Sequence, residues 1–407
     1  MTEKVDTLVI GAGLIGSSVT MHLVALSSKG SSSVLCVDAD LDGVYSSSEL
    51  NAGGVRATFL QPCNIRSSRA SIEYYSQIAN QIGYRPCGYL WLHGEETWDS
   101  AQKFVQSQGT QEWPLELISP KNLASRWPFL NRLDGVEGAV LGVRDGLINP
   151  NLLKLHYRSE ARKNGAKFED RVWVSRVEYF GEKIRVHVLR FPALGDETKK
   201  QLFLGKIPAG AKEEIIECRK VVNCAGPWAG NLAKILGYES PCVPVRRQIS
   251  IFDVADLDLS SYGMIVDTSG VYFHPEATHG LSGFADPQEP ESFNFEYDGV
   301  SFFEEKIWPA LYERSTYFER MKHVTGWAGL YEVSPDESAI IGQVKTKQSE
   351  NIFEVHSFSG HGAMHSYAAG LALAELIVYG QYQTLNLSEF AAERFITGKL
   401  LRESWVI

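Results

Sequence analysis

Asp6-Thr7-Leu8-Val9-Ile10-Gly11-Ala12-Gly13-Leu14-Ile15-Gly16 joins an apolar strand to three spaced glycines and then to a stretch of helical periodicity. A strand that breaks in this way opens a dinucleotide-binding βαβ unit. Gly11 permits the tight turn, Gly13 lets the backbone close on a pyrophosphate, and Gly16, lacking a Cβ, lets the helix lie against the strand. The free N–H groups at the helix start, with its positive dipole end, then face the phosphates. Val19, Leu23 and Leu26 recur at helical spacing, and Lys29-Gly30 reads as the stop. Val34-Leu35-Cys36-Val37 is the returning strand and ends in Asp38. A helix of about 15 residues travels roughly 23 Å and the strand returns about 16 Å. Asp38 therefore finishes beside the glycine turn, placed to accept hydrogen bonds from an adenosine ribose and to repel a 2′-phosphate.

Composition sets the outer bounds. At 407 residues and 44% hydrophobic content the chain buries a large core in two domains or one elaborated one. A formal charge of −10 with no basic run argues against a nucleic-acid partner. Met1-Thr2-Glu3-Lys4-Val5-Asp6 lacks the basic and apolar regions of a signal peptide. No apolar run approaches the ~20 residues that span a bilayer, so the expectation is a cytoplasmic protein with no transmembrane segment. Cys36, Cys63, Cys87, Cys218, Cys224 and Cys242 are scattered with no CxxC pair. That pattern fits reduced, buried thiols rather than a disulfide frame, and no metal site is expected.

Three further stretches carry the glycine theme. In Ser46-Ser47-Ser48-Glu49-Leu50-Asn51-Ala52-Gly53-Gly54-Val55-Arg56, small hydroxyls and a double glycine suit a loop passing close to a large planar ligand. Arg56 is its one strong cation, read either as a carboxylate or flavin-edge contact or as a structural salt bridge. The strand Lys220-Val221-Val222-Asn223 breaks into Cys224-Ala225-Gly226-Pro227-Trp228, a second close approach, with Cys224 read as packing rather than nucleophile. Phe358-Ser359-Gly360-His361-Gly362-Ala363-Met364-His365 leads into a long helix whose dipole faces whatever sits above its start.

Between these anchors, a helix is expected over 152–164 with Gly165 as its stop, and a strand pair over 167–177. Residues 190–215 read as a hairpin excursion whose Lys199-Lys200 and Glu213-Glu214 form a solvated face. Residues 241–309 turn strand-rich, with Val245 to Phe252 alternating.

The glycine turn, the serine and Ala-Gly-Gly loop and the two later motifs resemble the FAD-dependent oxidoreductases of the D-amino acid oxidase superfamily. The resemblance is nearest to the branch containing monomeric sarcosine oxidase, dimethylglycine dehydrogenase and the FAD-dependent oxidoreductase domain proteins. It implies an α/β fold: a Rossmann-like FAD-binding domain of the glutathione-reductase type with an α+β, mixed-sheet substrate domain. The FAD-binding domain would be discontinuous, over 1–85, 146–228 and 325–407, and the substrate domain would take 86–145 and 229–324. Carried onto this sequence, the resemblance implies FAD contacts at Gly11, Gly13, Leu14, Ile15, Gly16, Asp38, Ala39, Ser47, Ser48, Asn51, Ala52, Gly53 and Gly54. Further contacts fall at Val174, Cys224, Ala225, Gly226, Trp228, Gly329, Tyr331, Ser359, Gly360, His361, Gly362, Ala363 and Met364. Thr325 to Glu337 resembles the family's turn over the flavin ring, with Asp336 fixing it. Tyr272, Tyr331, His361 and Arg56 are the implied pocket and catalytic residues.

Departures from the family matter as much. The arginine that clamps a substrate carboxylate in D-amino acid oxidases falls at Glu276, which faces either an ammonium or solvent. The carboxylate-binding lysine of sarcosine oxidase falls at Met364. The oxygen-activating lysine is missing from Gly280-Leu281-Ser282-Gly283-Phe284, and without a preorganised cation beside the ring a dehydrogenase is favoured over an oxidase. The expected activity is oxidation of the C–N bond of a small amine or amino-acid-like substrate by hydride transfer to flavin N5, with an unidentified electron acceptor. Two alternatives stand: a 2-hydroxy acid dehydrogenase with His361 as base, and a flavin-binding assembly factor with little turnover.

Where some relatives attach FAD through a cysteine, this chain has Gly329. The purified protein is expected to be yellow and to release all its flavin on acid precipitation; flavin absorbance remaining in the washed pellet would contradict non-covalent attachment.

Overall fold

The computed structural model describes residues 2–27, 32–403 and 405. Thr7–Ile10 and Val34–Val37 pair in parallel from Thr7 opposite Val34 to Ile10 opposite Val37, with every residue of both strands buried. The connecting helix runs Leu14–Leu26; its expected stop at Lys29-Gly30 lies outside the described residues. The two strands sit inside a six-stranded sheet. Its order is Ile340–Val344, Ile352–His356, Lys220–Asn223, Thr7–Ile10, Val34–Val37 and Lys167–Glu169, parallel except at the Ile340–Val344 edge. Near-continuous apolar runs with no polar alternation are what strands covered on both faces require. The first helix packs between Pro150–Lys163 and the long helix Gly362–Tyr379.

Pro150–Lys163 starts two residues before the expected 152 because the Asn149 side chain accepts from the backbone N–H groups of Asn151 and Leu152, both at 3.0 Å. Pro150 then occupies the first turn, where its missing N–H costs nothing. The pair expected over 167–177 divides: Lys167–Glu169 joins the central sheet. Val172–Phe180 enters a separate four-stranded sheet, ordered Thr2–Lys4, Lys212–Cys218, Lys183–Arg190, Val172–Phe180.

An eight-stranded mixed sheet forms the second layer. Its order is Lys322–Val333, Val243–Asp253, His279–Phe284, Tyr272–Glu276, Met264–Val266, Tyr89–His93, Gly138–Gly142 and Leu115–Ile118. The stretch expected to turn over the ring is therefore a twelve-residue strand, held antiparallel to Val243–Asp253 with Gly329 opposite Arg247, and it crosses the expected domain boundary at 325. The turn follows it: Asp336 receives the Arg394 guanidinium at 2.8 Å through both oxygens and the Leu401 N–H at 2.8 Å. Removing one partner of so buried a pair costs about 3–5 kcal/mol. Among the described residues, no helix is long and apolar enough to cross a membrane.

His365, on Gly362–Tyr379, is 2% exposed and lies against Phe59 with ring centroids 5.1 Å apart. Neither ring nitrogen has a hydrogen-bond partner among the described residues. Burial, reinforced by Arg56, drives its pKa down to about 3. The folded protein holds His365 neutral while the unfolded chain binds a proton below about pH 6.5, so this residue removes stability as pH falls. His365→Leu is expected to gain about 1.4 kcal/mol over wild type per pH unit between pH 6 and 4, measured by urea unfolding. A pH-independent difference would contradict this.

Candidate functional site

Two confluent cavities occupy the space between the central sheet and the mixed sheet. Leu14, Ile15, Ser47, Ser48 and Glu332 border both, so the two form one channel. Its first half gathers the ends of the parallel strands at Ile10, Val37 and Cys224 around the glycine turn. Gly11 has φ +101°, and a Cβ there would overlap the Cys224 carbonyl. The carboxylate of Asp38 accepts from the Ala12 and Asp40 N–H groups, and burial raises its pKa. Ala39, Val174, Ala225, Gly226 and Trp228 complete this half with Gly13, Leu14 and Ile15.

In the excursion at 190–215 Glu213 is exposed as expected of a solvated face, but Lys199 is not. Residues Asp196–Phe203 form a helix that returns over the cavity mouth. Lys199 is 9% exposed and pairs with Asp40 at 2.7 Å. Phe203 lines the cavity, and its carbonyl accepts from the Trp228 indole N–H at 2.9 Å. The hydrophobic face of this short helix, Leu202 and Phe203, is what the charge-based reading overlooked.

The second half is floored by Asn51, Ala52, Gly54 and Arg56 from one loop and by Gly360, His361, Gly362, Ala363 and Met364 at the start of the long helix. The mixed sheet roofs it with Tyr89, Arg247, Ile249, Met264, Tyr272, Gly329 and Tyr331. Gly360 has φ +94°, and any side chain on it would overlap the Tyr331 ring. The Tyr272 and Tyr331 hydroxyls hydrogen-bond each other, and burial raises both pKa values, keeping the pair neutral. Gly329 packs against Leu50.

Three expected contacts fall outside the channel lining. Gly16 touches the Gly11 carbonyl, the helix-on-strand contact expected of it. Gly53, at φ +79°, turns the loop against the Ile148 carbonyl. Ser359 bonds within its turn, its N–H donating to Glu332 O at 3.0 Å and its hydroxyl accepting from Ser334 N–H at 3.2 Å. Glu276 is exposed at the end of its strand and faces solvent.

Arg56 lines the ring-end cavity but does not form the structural salt bridge that was one of its two expected roles. It is fully buried, donates to the carbonyls of Thr58 and Trp405, and lies 4.0 Å over Phe59 and 4.9 Å over Trp91. No carboxylate reaches ion-pair distance of it among the described residues. One of its terminal nitrogens lies 3.3 Å from His361 Nε2. A guanidinium only donates, so Nε2 accepts and the His361 proton sits on Nδ1. Burial first, then Arg56 and His365, hold His361 neutral, its pKa well below 6.5.

Tyr89, Arg247 and Glu332 are among the lining residues that sequence reasoning missed. Arg247 leans on Tyr331, 5.3 Å from its ring centroid, with its Nε buried and unpartnered. Its signal was legible, because in the alternating run Val245, Arg247, Ile249 and Ile251 share a face. Glu332 is 8% exposed, and one of its carboxylate oxygens has no partner.

A channel bordered at one end by a helix N-terminus and an acid at the second strand's end, and at the other by a wide, aromatic-roofed space, fits a flavin–adenine dinucleotide. Comparison with known proteins agrees. The family profile described as FAD dependent oxidoreductase matches residues 6–376. The FAD-dependent oxidoreductase domain-containing protein 1 of Xenopus laevis is 29% identical over 100% of this chain and 85% of its own length. Human dimethylglycine dehydrogenase is 23% identical, over 93% of this chain but 43% of its own. Among solved structures, L-proline dehydrogenase from P. horikoshii superposes with a TM-score of 0.79 at 22% identity, covering 98% of this chain and 100% of that one. Glycine oxidase from Geobacillus kaustophilus gives 0.76 at 17%, over 96% and 98%. The chain belongs to the FAD-dependent oxidoreductase family, with FAD as its cofactor.

Proposed function

We propose that this protein is an FAD-dependent dehydrogenase of small amino acids, secondary or primary, whose carboxylate is held by Arg247. The observation that carries the reading is the roof of the ring-end cavity, where a guanidinium with an unpartnered Nε leans on Tyr331, whose hydroxyl is paired with that of Tyr272. Arginine presents a planar fork suited to a carboxylate, and its stacking on an aromatic face limits the freedom lost on binding. It offers from a different strand the clamp whose familiar positions hold Glu276 and Met364 here. The names of L-proline dehydrogenase and glycine oxidase among the structural relatives point the same way.

FAD supplies the two-electron acceptor. A substrate entering as the free amine would leave as the iminium, its Cα hydride passing to the bound FAD, and would need no separate base from this chain. What the chain contributes is placement: Arg247 fixes the carboxylate, the two tyrosines wall the amine side, and the apolar Ile249 and Met264 exclude water. The helix start at His361–Gly362 offers its dipole to negative charge developing above it. His361 gives the 2-hydroxy acid alternative little support, since its accepting nitrogen faces Arg56 and burial keeps it neutral. The lining includes no lysine among the described residues, and the Arg56 terminal nitrogens donate to the carbonyls of Thr58 and Trp405, which favours an acceptor other than oxygen.

Anaerobic titration is expected to show flavin bleaching by one or more small amino acids. Arg247→Met should weaken that substrate about 10- to 100-fold, the loss of charge-assisted hydrogen bonds worth about 1.5–3 kcal/mol, while bleaching by the matching amine without a carboxylate stays unchanged. An equal effect on both compounds would contradict the clamp. Bleaching by no amine or amino acid would favour the assembly-factor alternative.

A further inference from the structure

Among the described residues, Glu332 is the one acidic side chain that borders both halves of the channel. One carboxylate oxygen, Oε1, accepts weakly from the Phe358 N–H at 3.4 Å; the other, Oε2, has no partner although the residue is 8% exposed. On that side lies Gly226, where a Cβ would stand 3.5 Å from Oε2. The residues sharing the junction are Leu14 and Ile15 at the first helix start and Ser47 and Ser48. A dinucleotide reaching from Asp38 to Tyr331 must thread between that helix start and Glu332. The part of FAD that does so is its ribityl and pyrophosphate chain, rich in acceptor oxygens and doubly negative.

An ionised carboxylate is a poor neighbour for such a chain, and a carboxylic acid is a good one. We propose that Glu332 holds FAD as an uncharged carboxyl group, donating through Oε2 to an oxygen of the chain that links flavin to adenosine, so that FAD binding takes up one proton. No covalent step is involved: the proton comes from solvent and returns there when FAD leaves. The inference rests on the cofactor alone and stands apart from the amino-acid reading.

The surroundings support the neutral form. Burial raises the Glu332 pKa to about 6, against the opposing pull of His356 and of the Phe358 and Ser357 N–H groups. His356, on Ile352–His356, is the one cation facing it; burial works against that charge, yet Cys242 and Glu354 raise its pKa to about 10. From the turn after Lys220–Asn223 comes Cys224, whose thiol burial keeps un-ionised. Strand Val243–Asp253 opposes Glu332 with Pro244, and the junction residues Leu14, Ile15, Ser47 and Ser48 are uncharged. A bound pyrophosphate adds negative charge and favours protonation further.

Dilution of the holoprotein between pH 6 and 8.5, with released FAD followed by its fluorescence, gives Kd at each pH. The acid form binds, so affinity is steady below about pH 6 and falls as pH rises, by at most about tenfold per unit. A loss of at least about tenfold is expected between pH 6.5 and 8.5. Glu332→Gln keeps a donor without the charge, so its Kd is expected to be flat with pH and at pH 8.5 equal to or tighter than wild type. A flat wild-type Kd, or a variant weakened equally at every pH as a lost acceptor would be, overturns the proposal. Should the variant not fold, a pH indicator reads the wild type directly: proton release on FAD dissociation at pH 7.5 supports the proposal and none overturns it. Titration with ADP separates the acceptors, since a matching pH slope assigns the phosphates and a flat one the ribityl oxygens.

Discussion

The architecture depends on one constraint: the parallel strands Lys220–Asn223 and Thr7–Ile10 end at the same level of the sheet, with their neighbour Ile352–His356 running two residues further in the same direction. Because Ile10 pairs with Asn223 and Asn223 with Glu354, the chain breaks that follow each strand emerge side by side. Open parallel sheets bind ligands outside the carboxyl ends of their strands for this reason. The contact of Gly11 with the Cys224 carbonyl fixes the spacing of two of these breaks, and the Gly360 turn under Tyr331 ties the third to the mixed sheet. A side chain at either glycine would force apart the layers whose gap is the site.

The gap then acquires different chemistry along its length. At the adenosine end it is closed by burial and one ion pair, Lys199 with Asp40, beneath the helix Asp196–Phe203. At the ring end the electrostatics are those of neutral groups and two arginines. Burial suppresses the charge of His361 and His365 and keeps Tyr272 and Tyr331 as hydroxyls. Arg56 donates through its two terminal nitrogens to backbone carbonyls, and both Arg56 and Arg247 keep a buried Nε without a partner among the described residues. A site with few free charges depends on placement more than on proton transfer.

Local patterns revealed the central unit, because strand, glycines, helix, strand and acid lie within the first forty residues. The substrate half was less legible, since its lining comes from register between strands far apart in sequence. Tyr89 reaches the roof only through its parallel pairing with Met264. Arg247 could have been read from alternation along its own strand, yet attention went to positions inherited from relatives. Lys199 misled because a lysine in a polar stretch reads as solvated, and its partner Asp40 lies at a distance no local window spans. The turn expected over Thr325 to Glu337 rests on the resemblance alone, and its first nine residues lie instead in the strand Lys322–Val333, whose pairing with Val243–Asp253 is invisible along the chain.

A crystal structure of the flavin-bound protein tests the central claim most directly. The account predicts one dinucleotide, its adenosine beside Asp38 and Val174, its linking chain passing Glu332, and its ring lying beneath Tyr331 and Arg247. Density placing Gly13, Gly226 and Gly362 around separate ligands, or a ring seated away from Arg247, would contradict it.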